Sequence, residues 1–425
     1  MYTVTYLLRN GGKTIGMELV GSDGAIQQVP KQKFLAYRGQ LENATVKSNG
    51  VVQAKNGHLP VRELEPLPST ELMGKKVSKY TIMHEDRAVL TFDRNTDGVI
   101  VHDRQYLPFG LRRDALPKSA AVLEWLILRI DNLQRTYMNM VYLARQVGRD
   151  RDKILSDSAG VSCTDNFWIK TSDISATWEE LSNLRDENRA LGLVALTGDI
   201  NGGTPQELLQ GFTSLFTTKG HFTKAILGGS IYKLKEDAIL EIPAYIIGSH
   251  IGVPVAGCEI ENGFVKIKLF TSPSVSLVHA AELKTYFDTR DEIYNNMLQL
   301  GRTDIVGQLQ RMYIFNYVIG NPDLHDENTG LLYDAKTFDF ISLCPCYDHN
   351  IAFQEGFDGL SRATKGNSSS LPLDDWTRMF IKNHPDIGAK LKTLPYSEVG
   401  GYLSKSQLSE LKERVRKVIG WATKN

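Results

Sequence analysis

Residues 321–328 read N-P-D-L-H-D-E-N, and twenty residues beyond Asn328 the chain arrives at Asp348, in Tyr347-Asp348. No other stretch constrains the fold as much. Asp323 and Asn328 sit five positions apart on one loop. Residues 330–342 then read as a hairpin, with a turn at Asp334-Ala335-Lys336-Thr337, that returns the chain to Asp348. Upstream, Ile305, Leu309, Met312, Asn316 and Ile319 recur at three- and four-residue spacing and trace one helix running into the loop. A helix, an Asp…Asn loop, a hairpin and a second Asp form the layout of a phosphoryl-transfer site. Asp323 can accept a hydrogen bond from an incoming hydroxyl and orient it, and His325 lies between the two loop residues. Asn328 and Asp348 offer oxygens to Mg²⁺, a hard cation that takes few protein ligands beside phosphate oxygens. The competing reading is an Asp- and Asn-rich loop without chemistry, and three matching positions in order argue against it. Asp326, Asp334 and Asp339 read as turn residues.

The chain has 425 residues, more than one core accommodates, so two or three domains are expected. Its formal net charge is zero, so the footprint of a nucleic-acid binder is absent at whole-chain level. Cys163, Cys258, Cys344 and Cys346 read as reduced thiols of a cytosolic protein, because Cys344-Pro345-Cys346 lacks the second pair a structural zinc site needs. The first residues alternate as a strand does and not as a signal peptide, and no apolar run approaches the ~20 residues of a membrane span.

Residues 1–110 read as β-rich. Tyr2, Val4 and Tyr6 alternate with Thr3 and Thr5, and Asn10-Gly11-Gly12, Ser22-Asp23-Gly24, Ser48-Asn49-Gly50 and Asn56-Gly57 are spaced turn signals. Residues 82–92 and 99–101 are further expected strands. Pro117 opens a helical pattern (Leu126, Ile130, Leu133, Tyr137, Val141) that predicts one long helix stopped at Gly148. The charged run 148–158 reads as a hinge or a helix end. Strands are expected at 225–227, 230–234 and 264–270, a helix at 241–250, and mostly helix after 280. Residues 356–371, rich in Gly and Ser, are the expected mobile loop. The chain ends in an expected helix over 404–423.

Ahead of the strands at 225–234 lies Thr217-Thr218-Lys219-Gly220-His221-Phe222-Thr223-Lys224. A small-residue turn with one Gly brings backbone N–H groups near phosphate oxygens, and a plain hairpin turn is the alternative. It is not a Walker A sequence. Lys233, on the following strand, can bridge α- and β-phosphates, or be a solvated lysine, with Lys235 as a competitor on the same face. Glu241 heads the next helix, with Pro243 in its first turn; it can pair with Lys233 or be stabilised by the helix dipole. Asp93-x-Asn95-x-Asp97-Gly98 resembles the start of a calcium loop, but Arg104 stands where the bidentate Glu belongs.

These residues together resemble the HipA-type bacterial serine/threonine kinases, best known as toxins of toxin–antitoxin pairs. The resemblance covers residues 160–425 and rests on T-T-x-G-x-x-x-K at 217–224, Lys233, the Glu241 helix leading to Gly252, N-x-D-x-H-x-x-N at 321–328, and Tyr347-Asp348. It implies a phosphate loop containing Thr217, Thr218, Gly220 and Lys224, an ATP lysine at Lys233 with Glu241 as its partner, a catalytic loop with Asp323 and His325, and Mg²⁺ ligands at Asn328 and Asp348. The family's autophosphorylated serine lies three residues before the phosphate-loop Gly, where this chain has Thr217. Leu324 departs from the family pattern, and the first 150 residues match only loosely, so toxicity is not implied.

The expected fold is therefore α+β: a bilobal protein-kinase-like domain, with a mixed N-lobe and a helical C-lobe, preceded by a β-rich N-terminal region and a long helix. The expected divisions are 1–110, a helical connector at 111–159, the N-lobe at 160–285 and the C-lobe at 286–425. The implied cofactors are ATP and Mg²⁺. The implied partners are a protein substrate and an antitoxin-like DNA-binding protein, with no direct nucleic-acid or membrane contact, in the cytoplasm. Two alternatives stay open. One is a small-molecule phosphotransferase of the aminoglycoside- or choline-kinase type, which shares the D-L-H-x-x-N loop. The other is a nucleotide-binding pseudokinase acting as a scaffold.

Overall fold

The computed structural model describes residues 2–10, 13–22, 26–30, 34–35, 37–47, 51–64, 77–130, 135–148, 150–183, 188–217, 222–287, 293–357, 359 and 372–423. The alternating N-terminal residues form Tyr2–Asn10, which pairs antiparallel with Lys13–Gly21 and parallel with Val61–Leu64, with Ile26–Pro30 at the far edge. Val4, Leu7, Met17 and Leu19 pack with Phe34, Leu41, Ala44 and Val46 in a cluster of their own. The turn signals at Gly11-Gly12, Asp23-Gly24 and Ser48-Asn49-Gly50 lie outside the described residues.

A second antiparallel sheet contains Lys79–His84, Arg87–Asp93 and Gly98–Val101. Its fourth strand, Phe167–Lys170, pairs with Lys79–His84, so this sheet joins residues on either side of position 110. The Asp93 to Gly98 segment is a hairpin turn in which Asp93 Oδ1 accepts from the Asn95 N–H at 2.9 Å.

The single long helix expected between Pro117 and Gly148 is corrected to two helices, Ser119–Leu128 and Met138–Ala144. Two local features break it. Arg129, just past the first helix, is buried, with its guanidinium held by Asp165 and by the carbonyls of Gly160 and Phe167. Tyr137, just before the second, adopts a left-handed backbone at φ +63°. The charged run that follows contains the start of a further helix. Asp150 caps the start of Arg151–Ser158, accepting from the Asp152 and Lys153 N–H groups.

The sheet that bears on the site runs in the order Lys224–Leu227, Ser230–Leu234, Phe264–Lys268, Cys258–Glu261, all antiparallel. Gly228 and Gly229 both take positive φ in its first turn, the demand of a two-residue hairpin loop. After the short helix Lys235–Ala238 comes Glu241–Ile251, which ends at Gly252 with φ +76°. A three-stranded sheet (Val275–His279, Gly330–Asp334, Phe340–Leu343) and the helices Thr303–Ile319, Leu373–Ile381 and Lys405–Thr423 complete the architecture. The fold is thus mixed, with several small sheets and fifteen α-helices among the described residues. One apolar core runs from Val77 to Val418. Within the expected mobile loop, residues 358 and 360–371 lie outside the described residues. No helix among the described residues is long and apolar enough to cross a membrane.

His84 ends the strand Lys79–His84 and is buried among the rings of Tyr106, Phe167 and Phe338. Burial pulls its imidazole down to about 4. The fold therefore keeps His84 neutral, while the unfolded chain protonates it near pH 6.5. Between those values the unfolded state binds more protons, so stability falls as pH drops from about 6.5 to about 4, by up to about 3 kcal/mol from this residue. Above pH 6.5 the residue contributes no pH dependence. Urea midpoints measured from pH 7 to 4 should decline less steeply for His84→Phe than for the wild type; parallel curves would remove His84 as the cause.

Candidate active site

Lys233 lies in the interior strand of its sheet, opposite Lys224 on one side and Val265 on the other. Its ammonium is buried and makes three contacts: Glu241 Oε1 at 2.8 Å, Asp348 Oδ1 at 2.9 Å and Asn350 Oδ1 at 3.1 Å. The competitor Lys235 falls beyond the strand, at the exposed start of the short helix. Glu241 occupies the first turn of its helix and is also buried. The helix dipole favours a carboxylate there, but the ammonium at 2.8 Å is the stronger influence.

Burial opposes all three charges, and the mutual pairing outweighs it. Burial pulls Lys233 down, yet Asp348 and Glu241 lift it above the ordinary lysine value. Burial pushes Glu241 up, yet Lys233 and His349 hold it well below the usual carboxylate range. Asp348 is likewise held low, its burial outweighed by Lys233 and Lys224. The site is thus a compact cluster of charges that stay charged because each has an opposite neighbour.

Asp348 reaches Lys233 through an uncommon backbone, with φ +64°, a conformation that Asp tolerates better than most residues. Two residues earlier, the Cys346 N–H donates to the Pro254 carbonyl at 2.9 Å, and the Cys346 carbonyl accepts from Ala256 at 2.8 Å. The segment is thereby anchored just past the Glu241 helix. Behind Asp348, the His349 N–H and Nδ1 both lie 3.1 Å from Glu241 Oε2.

The catalytic-loop candidates follow the helix Thr303–Ile319, which stops at Gly320 with φ +62°. A chain of amides then sets the loop. Asn316 Nδ2 donates to the Met312 carbonyl, Asn321 Nδ2 to Asn316 Oδ1, and the Asp323 N–H to Asn321 Oδ1 at 3.0 Å. Leu324 is buried and pins the loop to the core. Asn328 Nδ2 donates to the Asp323 carbonyl at 3.1 Å, and the Asp323 carboxylate lies 3.7 Å from His325 Nε2. The structure therefore brings Asp323, His325 and Asn328 together on one loop. Tyr347 connects this loop to Asp348: its hydroxyl donates to the Glu327 carbonyl at 2.8 Å and lies 3.3 Å from His279 Nδ1. The turn residues behave as bystanders do, with Asp326 paired to Lys284 and Asp334 accepting from Lys336 and Thr337 N–H groups.

Of the expected phosphate loop, Thr218 and Gly220 lie outside the described residues. Thr217 is half-buried, and its hydroxyl faces the Val161 and Ser214 carbonyls, each at 2.8 Å. Lys224 is not a loop residue but the first residue of its strand, directly opposite Lys233, so both lysines project from one face of the sheet. Burial pulls the Lys224 ammonium down to about 8, against the Asp348 carboxylate that raises it.

Sequence reasoning missed His349 and Asn350. The available signal was the run of three polar residues, Asp348-His349-Asn350, between the buried Cys346 and Ala352.

No protein-family model matches the chain, and no curated protein matches it. Among solved structures, HipA of the toxin–antitoxin system of Shewanella oneidensis MR-1, in complex with HipB and its operator DNA, aligns with a TM-score of 0.51 at 14% identity, over 81% of this chain and 96% of that one. The proinflammatory kinase CtkA of Helicobacter pylori aligns with a TM-score of 0.34 at 15% identity, over 47% of this chain and 92% of that one. The likeness to HipA is one of fold: the chain has a HipA-like fold.

Removing one member of a buried ion pair strands the other. Glu241→Ala should therefore cost about 3–5 kcal/mol of stability, since it leaves two buried His349 donors without their acceptor and takes from Lys233 one of its two carboxylates, with Asp348 and Asn350 remaining. Urea unfolding reads this directly, and a loss under about 1 kcal/mol, the scale of an exposed pair, would show that the pair carries no structural weight.

Proposed function

We propose that the chain is a cytoplasmic ATP- and Mg²⁺-dependent kinase that phosphorylates a Ser or Thr hydroxyl of a protein. The observation that carries this reading is the contact of Lys233 with both Glu241 and Asp348, beside a loop that joins Asp323 to Asn328. In this reading residues 160–285 and 286–425 are the two lobes, following the β-rich region 1–110 and the connector 111–159, and the nucleotide occupies the cleft between the lobes.

The residues present suit the cofactors. Mg²⁺ in kinase sites keeps one or two protein ligands and takes its remaining oxygens from phosphates and water, so Asn328 and Asp348 suffice. Lys233 engages one oxygen of Asp348, and the carboxylate carries a second. Bound Mg²⁺–ATP would supply the transferable γ-phosphoryl group. Lys233 would hold the α- and β-phosphates, and Lys224 adds a second positive charge on the same face. Asp323 would orient the acceptor hydroxyl and take its proton, and His325 beside it would help to hold that carboxylate. Thr217 is the proposed site of self-phosphorylation; because its hydroxyl faces two carbonyls, the turn at Ser214 must open first. By analogy with the solved HipA complex, a partner of the HipB kind is proposed.

The assignment is tested with purified protein and γ-labelled ATP. Asp323→Ala should lose at least ~10²-fold in transfer while keeping nucleotide affinity, the scale for a positioned acid–base group. Asp348→Ala should instead weaken the Mg²⁺-dependent part of ATP binding, read by calorimetry with and without the metal. Transfer by Asp323→Ala within a few-fold of wild type would end the assignment. A phosphoproteomic comparison of cells expressing wild type and Asp323→Asn separates a protein kinase from a small-molecule phosphotransferase.

For Thr217 the readout is mass spectrometry after incubation with Mg²⁺–ATP. Phosphate should sit on Thr217 in the wild type and be absent from Asp323→Ala. An equal amount in both would rule out self-transfer. The phosphate would add a charge of about −1.5 to −2 and lower ATP affinity, and Thr217→Asp, with its single carboxylate charge, should lower it in the same direction.

A further inference from the structure

Three consecutive side chains converge on one ion pair. Asp348 contacts Lys233 at 2.9 Å, His349 contacts Glu241 at 3.1 Å, and Asn350 contacts Lys233 at 3.1 Å. In an extended strand, successive side chains point to opposite faces. Here the left-handed backbone of Asp348 breaks that alternation, and all three reach the same target.

The geometry at Glu241 is restrictive. Its Oε1 accepts from Lys233, and its Oε2 accepts from both the backbone N–H and Nδ1 of His349. A carboxylate only accepts, so Nδ1 of His349 carries the proton. With both oxygens occupied, the carboxylate cannot rotate away from the lysine. The imidazole is itself fixed, fully buried and edge-on to Phe315 with ring centroids 5.4 Å apart. The far end of the same helix is tied as well. The chain past Gly252 bridges to Cys346, and Gly248 lets Val255 approach so closely that a Cβ would meet Val255 Cγ2 at 2.2 Å.

We propose that His349 is a positioning residue that holds the Lys233–Glu241 pair permanently assembled, acting through Glu241, with Asn350 closing the same clamp on the lysine. In protein kinases the equivalent pair is made and broken by movement of the helix that carries the Glu. In this chain that helix is stitched at its first turn and beyond its last turn to the segment that carries Asp348. Its movement alone cannot open the pair, so control of this enzyme acts elsewhere than at this helix. The meaning of the pair as an ATP site rests on the kinase reading; the clamp itself does not.

Two variants separate positioning from packing. His349→Leu removes the donor and keeps an apolar filler. His349→Asn keeps an N–H near the Nδ1 position and loses the ring that packs on Phe315. Competitive acylation of lysines in the full-length protein, read by mass spectrometry with exposed Lys235 as internal reference, reports whether Lys233 is held. Lys233 should be protected in the wild type and in His349→Asn. In His349→Leu it should become at least about ten-fold more reactive, the factor equivalent to about 1.4 kcal/mol. In the transfer assay kcat should fall about ten-fold in His349→Leu and recover in His349→Asn, while the melting temperatures need not follow that order.

If Lys233 reactivity follows melting temperature, with the Asn variant as open as the Leu variant, His349 is only packing and the proposal fails. If the labelling pattern appears but the wild type transfers no phosphate, the clamp stands and the kinase reading falls. If all variants transfer and label as the wild type does, the clamp falls and the kinase reading stands. Should His349→Leu not fold, Asn350→Ala carries the test: increased Lys233 labelling supports the clamp, and unchanged labelling overturns it.

Discussion

A lysine ammonium placed in the middle of a sheet and withdrawn from water is intolerable unless opposite charge arrives to meet it, and the arrangement around Lys233 is the answer to that demand. Taking one such charge out of water costs several kcal/mol, and a single partner in imperfect geometry does not repay it. Lys233 has two carboxylates and an amide oxygen within 3.1 Å. They come from a helix that begins at Glu241 and from a segment more than a hundred residues further on, so satisfying one ammonium fixes the strand, the helix and the post-hairpin segment relative to one another. Lys224, opposite Lys233 on the sheet, adds a second cation that faces the same Asp348 carboxylate. The charges are therefore interdependent, and variants among them are expected to be non-additive.

The C-terminal helix Lys405–Thr423 supports this cluster from behind. Arg414, itself buried, donates from Nε to the Val318 carbonyl, at the C-terminal end of the buried helix that leads into the Asp323 loop, where a positive charge complements the helix dipole. The guanidinium lies so close to Gly320 that a Cβ there would meet it at 2.7 Å, so this position needs Gly both for its φ and for the approach of the arginine. Glu410, one turn earlier, pairs with Arg414 and accepts from the Gly356 N–H, which ties down the chain after Asp348. The same helix thus secures the approach to the Asp323 loop and the exit from the Asp348 segment.

A likeness of fold at 14% identity carries an architecture and not a substrate, because activity resides in sites built on a fold. The site of this chain is the cluster itself, in which His349 and Asn350 join Lys233, Glu241 and Asp348.

The sequence by itself determined the residue types and their order: Lys233 on a strand, Glu241 with Pro243 in a first helical turn, the Asp323 and Asn328 loop after a periodic helix, and Asp348 after a hairpin. Each of these is written in a local pattern of period 2 or 3.6, or in turn residues, and the elements Ser230–Leu234, Glu241–Ile251, Thr303–Ile319 and Gly330–Asp334 follow those patterns. Local pattern fails where a distant contact overrides it. The periodicity of residues 117–148 reads as one helix, but the interactions of Arg129 with residues past 160 and the left-handed Tyr137 divide it. Only tertiary structure chose Lys233 over Lys235, because the strand ends between them and one lysine enters the core while the other meets water. Only tertiary structure assigned His349 and Asn350, because their partners lie more than a hundred residues away and no spacing rule spans that distance.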